Sequence, residues 1–375
     1  MRKIALIHFL PLEYYPPVTN MINYLTDEID SDIKLSVFST HNTKNRNVFY
    51  NKKVKIYRTS QSNENEHRLI RFFKYLNFQL SVIFKLLFFR PDKVLYYESL
   101  SSFPVYIYLR FIKPSAKLYI HYHEYTSPKQ YATQSMAVER FFHKLEQKHL
   151  YKKALWISHT NIDRLSFFQK DNPNINNKIL QELPNYPPKS WADSENHKKP
   201  LPFKQPLKCV YIGSLSLNNT YLREFTDWII NQKGKVTFDI FAYNLHSDTK
   251  QFLLDLHSSF INFDEKGVEY DNIPAILKNY HVGVIFYKAY SVNVINCVSN
   301  KFYEYYACGL DIWFSNVMKT TLKYTAQNES PAVIPVDFTN IQSFKWKSFE
   351  FNKNKSKSNY FCNDVYFFLK TELQK

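Results

Sequence analysis

Short apolar runs rich in β-branched and aromatic residues recur along this chain, each followed by a longer amphipathic stretch. Runs of this kind, alternating with helix-period segments, mark βαβ units and a mainly parallel sheet covered by helices. In the first half the expected strands are 3–9, 34–39, 54–58, 93–97, 117–121 and 155–158; in the second they are 208–212, 237–242, 281–286 and 311–315. Between the halves, residues 186–206 carry Pro187, Pro188, Pro200, Pro202 and Pro206. Proline removes a backbone donor and fixes φ, so this stretch reads as a boundary rather than an element. The expected layout is a Rossmann-like domain at 1–186, a linker at 187–206 and a second Rossmann-like domain at 207–375, whose last helix is free to pack back on the first domain. A chain of 375 residues suits two such cores.

All five glycines, Gly213, Gly234, Gly267, Gly283 and Gly309, fall in the second half. A dinucleotide fingerprint needs glycine where the backbone meets a pyrophosphate after the first strand. Here that strand is followed by LPLEYYPPVTN, with none. This argues against an NAD or FAD site in the first half and assigns any nucleotide to the second.

The formal net charge of +16 favours anionic partners: nucleic acid, an anionic membrane surface or phosphorylated ligands. No nucleic-acid-binding module is recognisable, so nucleic acid is not expected as a partner. Cys209, Cys297, Cys308 and Cys362 have no metal-ligand spacing and read as reduced thiols of a cytoplasmic protein. The apolar start KIALIHFL is short, runs into Pro11 and reads as a strand rather than a leader. The aromatic share of 18% fits a coding bias towards Tyr and Phe.

Three segments carry candidate chemistry. Val210-Tyr211-Ile212-Gly213-Ser214-Leu215 is a strand that ends in a glycine turn. In Asn300-Lys301-Phe302-Tyr303-Glu304, continuing to Gly309, the spacing puts Lys301 and Glu304 on one face near a helix start, with Gly309 as its stop. That pattern suits a nucleoside diphosphate, with an ammonium and helix-start amides for phosphate and a carboxylate for ribose hydroxyls; it equally suits a solvated ion pair. In Tyr119-Ile120-His121-Tyr122-His123-Glu124-Tyr125, alternation places His121 and His123 on one face at a strand end, where ligands of open α/β sheets bind. Buried, hydrogen-bonded histidines are the alternative, and no third ligand stands at zinc spacing.

YIGSL after a linker, NKFYEYYACGLDIWFSN, HYHEY and LPNYP together resemble bacterial GT-B glycosyltransferases. The resemblance is to the large, mostly retaining family 4-type group, related to sucrose synthases and lipopolysaccharide glycosyltransferases, which builds capsule, O-antigen and other surface glycans. It implies an α/β GT-B fold, two Rossmann-like domains facing each other across a cleft. Lys301 would contact the donor diphosphate and Glu304 the ribose, joined in the donor site by Gly213 and Ser214. His123 and Glu124 would align with the interdomain histidine–acid pair near the reacting centre, and the loop of Tyr15 and Pro17 would meet the acceptor. Ser158 to Arg164 resembles a family strand-to-helix turn that lines the cleft, and Asn185 a crossover residue that caps backbone.

Two positions depart from the family. Asn296 stands where a second glutamate often touches the donor sugar, and Arg223 alone follows the YIG strand where an Arg and a Lys commonly clamp the diphosphate. The resemblance implies a UDP- or GDP-sugar as substrate, a glycan or polyprenyl-diphosphate-linked glycan as acceptor, and no metal or resident cofactor. The rival readings are a GT-B-shaped nucleotide-sugar epimerase and a non-catalytic donor- or glycan-binding relative.

Residues 68–93 set Arg68, Arg71, Lys74, Lys85, Arg90 and Lys93 against Asp92 alone, interleaved with phenylalanines. No uncharged apolar run of about 18 residues is present, so no spanning helix is expected. Leu69, Phe72, Phe73, Leu76 and Leu80 fall near helical spacing. This stripe fits either a core helix or attachment to the inner face of a cytoplasmic membrane as a peripheral protein.

Overall fold

The computed structural model describes residues 2–28, 33–42, 46–63, 66–193, 206–243, 245–349 and 358–375. The chain forms two compact units: Met1–Asn185 with Cys362–Lys375, and Tyr186–Phe361. Of the expected linker, residues 194–205 lie outside the described residues. Its described part is not featureless, because Ser190–Asp193 forms one helical turn whose Trp191 is buried against Tyr270.

The first unit is a seven-stranded parallel sheet in the order β3-β2-β1-β4-β5-β6-β7. Its strands are β1 (Arg2–His8), β2 (Ile33–Thr40), β3 (Lys55–Thr59), β4 (Lys93–Tyr97), β5 (Lys117–Tyr122), β6 (Ala154–His159) and β7 (Leu180–Glu182). Central strands are buried along almost their whole length, as expected where helices cover both faces. The second unit is a six-stranded sheet, β10-β9-β8-β11-β12-β13. It comprises β8 (Leu207–Ile212), β9 (Val236–Phe241), β10 (Ile261–Asp264), β11 (Val282–Ile285), β12 (Asp311–Ser315) and β13 (Val333–Val336). Both sheets are doubly wound, and the strand order reverses at β1/β4 in one and β8/β11 in the other. Crevices at such reversals, beyond the strands' carboxyl ends, are where these sheets hold ligands.

All ten expected strands form. The three not foreseen, β7, β10 and β13, are edge strands of three or four residues, too short for a clear period, and β13 carries Pro335, which an edge strand tolerates. The C-terminal helix Cys362–Gln374 belongs to the first unit. Buried Lys93 Nζ donates to the carbonyls of Glu372 (3.0 Å) and Leu373 (2.7 Å), capping that helix, and Tyr366 Oη donates to the Pro17 carbonyl at 3.0 Å. Burial lowers the Lys93 pKa to about 8.

In the second unit β8 and β11 pair only through Cys209↔Val282 and Val210↔Gly283, and then part. The Tyr305 ring fills the gap from helix Asn300–Ala307, and its hydroxyl accepts from the Ile212 N–H at 3.1 Å. Gly283 makes the approach possible: a Cβ there would lie 2.2 Å from the Tyr305 ring. Gly309 at φ +72° ends the helix, with Gly309 N donating to the Tyr306 carbonyl and Leu310 N to that of Tyr305.

Gly283→Ala is therefore expected to destabilise the protein by about 3 kcal/mol, because a fully buried ring has nowhere to move. Urea unfolding measures this, and a loss under about 1 kcal/mol would show that helix and strand can slide apart.

Candidate functional site

The second unit's crevice brings together Gly213, Lys301 and Glu304 of the residues expected to hold a donor. Helix Asn300–Ala307 brings Lys301 under the turn that follows β8: the position of a Gly213 Cβ would be 2.9 Å from Lys301 Nζ. Gly213, at φ +128°, keeps that space open, while its N–H is already committed to the Phe241 carbonyl at 2.9 Å. The ammonium donates to Tyr287 Oη at 3.2 Å and lies 5.1 Å from the Tyr211 ring centroid. Burial opposes its charge, but the oxygens of Tyr211 and Tyr287 and the Glu304 carboxylate outweigh it and hold the pKa above the ordinary lysine range. Glu304 is 8% exposed. Burial, partly offset by Lys301, raises its pKa to about 7. The pair is thus no solvated ion pair. It is a half-buried cation and a buried acid at the strand-order reversal.

Other expected donor residues are placed differently. Ser214 is exposed, and its carbonyl accepts from Tyr211 Oη at 2.6 Å. Asn296 donates to the Val292 carbonyl at 2.9 Å, capping its own helical turn. The Arg223 guanidinium sits over the Phe252 ring at 4.4 Å, on the helix Leu222–Asn231, and is not brought to Lys301. Another cation, which the sequence reading passed over, reaches the loop after β8. Lys288 follows Tyr287 beyond β11 and donates to the Leu217 carbonyl at 3.3 Å, across the loop that follows Gly213.

In the first unit, strand ends bring together His8, Tyr97, His121, His123 and His159. His123 stacks on Tyr97 (5.2 Å, 17°) and meets His121 edge-on at 4.8 Å. Tyr15 lies 5.8 Å from the His123 ring, and buried Pro17 lines a small void with His123 and Asn185, so the expected acceptor residues do meet the expected histidine. His121 Nδ1 is 2.9 Å from Ser158 Oγ. Burial depresses the histidines: His8 to about 4, His121 and His159 to about 3, and His123 well below its usual value. All four rings are neutral near pH 7. Arg164 braces the turn by donating to the His123 carbonyl (2.6 Å) and to Thr160 Oγ1 (2.7 Å).

Glu124 is exposed, whereas Glu98, at the end of β4, was missed and is the more unusual acid. Its backbone has φ +62°, a region that favours glycine, and its Oε1 accepts from the His123 N–H at 2.6 Å. Burial first, then the Glu124 charge, raises the Glu98 pKa to about 8 despite backbone bonds from His123 and Glu124. A cavity of about 220 Å³ adjoins Glu124, lined also by Tyr122, Tyr131, Arg140, Lys144 and Asp171. No group of residues able to hold a metal ion occurs among the described residues.

No protein-family model matches the sequence, and no curated protein matches it. Solved structures do match. Sucrose-phosphate synthase from Thermosynechococcus elongatus is 12% identical at a TM-score of 0.58, covering 91% of this chain and 89% of that one. The lipopolysaccharide outer core galactosyltransferase WaaB is 13% identical at 0.51, covering 84% and 80%. UDP-GlcNAc 2-epimerase from Neisseria meningitidis, bound to UDP-GlcNAc, is 12% identical at 0.59 and covers all of both chains. The fold is GT-B, two Rossmann-like α/β units, and it is shared by sugar transferases and nucleotide-sugar epimerases alike.

The buried acids and histidines oppose each other in pH. Each histidine is neutral when folded but takes up a proton near pH 6.5 when unfolded, so its stability is intact above 6.5 and is lost as pH falls below it. Glu98 and Glu304 keep a proton up to about 8 and 7 when folded but lose it near 4.5 when unfolded, so their stability declines as pH rises from 4.5 through those values. Stability from these groups is expected to peak near pH 6.5, read by urea unfolding from pH 5 to 8. In Glu98→Gln the decline above about pH 6.5 should flatten; an unchanged decline would show that Glu98 is ionised in the fold.

Proposed function

We propose that this chain is a glycosyltransferase that takes a UDP- or GDP-sugar on its second unit and passes the sugar to a glycan or polyprenyl-diphosphate-linked glycan during bacterial surface polysaccharide synthesis, as in capsule or lipopolysaccharide. The observation that carries the reading is the buried residue Glu304, one helical turn from the half-buried Lys301 ammonium that lies under Gly213. A largely buried carboxylate gains from a ligand that donates to it. Two vicinal ribose hydroxyls beside a diphosphate supply both the donors and the counter-charge.

In this reading Lys301 neutralises the diphosphate and Lys288 replaces the clamp that Arg223 does not provide. Transfer breaks the bond between the anomeric carbon and the diphosphate oxygen and forms one to the acceptor oxygen. With retention, the leaving diphosphate takes the acceptor proton on the same face, and no protein nucleophile is needed. The cations stabilise the charge that develops on the diphosphate. His123, neutral and held by Tyr97 and Arg164, orients the acceptor with Tyr15, Pro17 and Glu124.

A second reading has its own support: the epimerase structure covers this chain from end to end. Incubating the protein with UDP-GlcNAc and no acceptor separates the two. Epimerised nucleotide-sugar, followed by NMR, would replace the transferase reading. Tight donor binding with no turnover over an acceptor panel would favour a non-catalytic relative.

Glu304→Ala is expected to weaken donor nucleotide binding by about 1.5–3 kcal/mol, the range for a hydrogen bond to a charged group. Unchanged affinity in calorimetry would remove Glu304 from the site. Lys301→Met and Lys288→Met should weaken UDP or GDP far more than uridine or guanosine, and equal losses would contradict a phosphate role. His123→Ala should lower turnover while donor affinity stays near normal; preserved turnover would make His123 a packing residue.

A further inference from the structure

The helix Arg68–Phe89 has two apolar faces where a core helix has one. Phe78, Val82 and Leu86 are buried in the first unit's core with Ala5, Tyr96 and Ile120. On the other side Leu69, Phe73, Leu80, Phe84 and Phe88 are each more than half exposed, a stripe at helical spacing along about 29 Å. Phe72 is exposed beside it. Neighbouring segments carry exposed rings as well: the helix packs against Ser102–Ile107 and Tyr108–Ile112, where Phe111 is 69% exposed, and Ser102–Ile107 in turn meets Ala137–Leu145, where Phe141 is 60% exposed. Bare apolar surface of this extent is a docking surface rather than ordinary exterior.

Charge identifies the occupant. Arg68, Arg71, Lys85, Arg90 and Arg110 are exposed on the same segments. No Asp or Glu occurs between Arg68 and Arg90. The flanking acids are engaged, Glu66 by Lys74 and Asp92 by Lys113; Glu139, half-buried on Ala137–Leu145, is the acid nearest Phe141 in sequence. Two copies joined through this stripe would set arginines against arginines with no carboxylate on the helix to receive them. A sheet of phosphates receives them all.

We propose that this face lies on an anionic lipid bilayer, with the phenylalanine and leucine side chains in the interface and the arginines at the headgroup phosphates. The helix is long and apolar enough in composition to cross a bilayer, with a mean hydropathy of 1.3, although the sequence reading expected none. Its Phe78, Val82 and Leu86 face is occupied by the core, so it lies on the membrane rather than through it. The inference stands apart from the sugar-transfer reading, since it uses none of those residues.

Co-sedimentation with phosphatidylglycerol–phosphatidylcholine vesicles tests it. The full chain should sediment with these vesicles and far less with phosphatidylcholine alone. Arg68→Glu and Arg71→Glu should each weaken binding roughly fivefold. The combined Phe72→Ser, Phe73→Ser, Phe84→Ser, Phe88→Ser variant changes exposed positions only and should weaken it at least roughly tenfold. No sedimentation with anionic vesicles at low salt would overturn the proposal. So would a dimer that the serine variant dissolves and vesicles do not compete with, or binding that only detergent reverses.

Discussion

The parting of β8 from β11 sets the geometry of the second unit. Had the two strands stayed paired to their ends, the Ile212 N–H would have a strand partner and no opening would exist above it. Because they separate after Val210↔Gly283, something must satisfy that N–H, and Tyr305 does. The substitute arrives on a helix rather than a strand, and a helix delivers neighbours. Lys301, one turn before Tyr305, falls on the same face, with Glu304 adjacent. The bare Gly283 lets the ring in, and the bare Gly213 leaves room for the ammonium. One unpaired backbone donor thus fixes where a cation and an acid come to rest.

The first unit repeats the architecture with a different solution. Its reversal between β1 and β4 has no glycine, and the strand ends are crowded with rings. Buried, each imidazole stays neutral, with one nitrogen to donate and one to accept a hydrogen bond but no positive charge at pH 7. Glu98, held at φ +62° and bonded to the His123 N–H, fastens the loop after β5 to the end of β4. The two sheets therefore differ in what they can bind. In the proposed transferase the second would offer charge to an anionic donor, and the first uncharged donors and acceptors to an acceptor hydroxyl.

Much of this was legible in the sequence because it depends on local period and spacing. Buried parallel strands announce themselves as apolar runs, and an i,i+3 Lys–Glu pair followed by glycine is a helix-face pattern. What escaped depended on distance through the fold. The edge strands β7, β10 and β13 have one neighbour each and no clear period. Lys288 becomes interesting only when β11 is laid beside β8 and its ammonium reaches the Leu217 carbonyl. Arg223 looked suitable because it was near Gly213 in sequence, but its helix carries it over Phe252 instead. The paired state of Lys301 and Glu304 was open in the sequence, since spacing says which face two residues share but not whether that face is wet.

The aromatic share of the chain admits a similar test. A coding bias towards Phe and Tyr would place extra rings wherever codons fell, and folding would bury some and leave others scattered. Buried rings such as Tyr96, Tyr305, Phe225 and Trp228 fill both cores, as that account requires. Scatter does not explain Phe72, Phe73, Phe84 and Phe88, which stand exposed on one helix whose opposite side already seals the sheet. A stripe needed for packing is buried by packing; this one is not. An acid-free run of arginines beside it adds a requirement that water alone does not impose, since mixed charges serve solubility as well. Under the membrane proposal, these rings and the exposed arginines beside them would meet two conditions together, an apolar phase below and phosphate above, as at the boundary of an anionic bilayer.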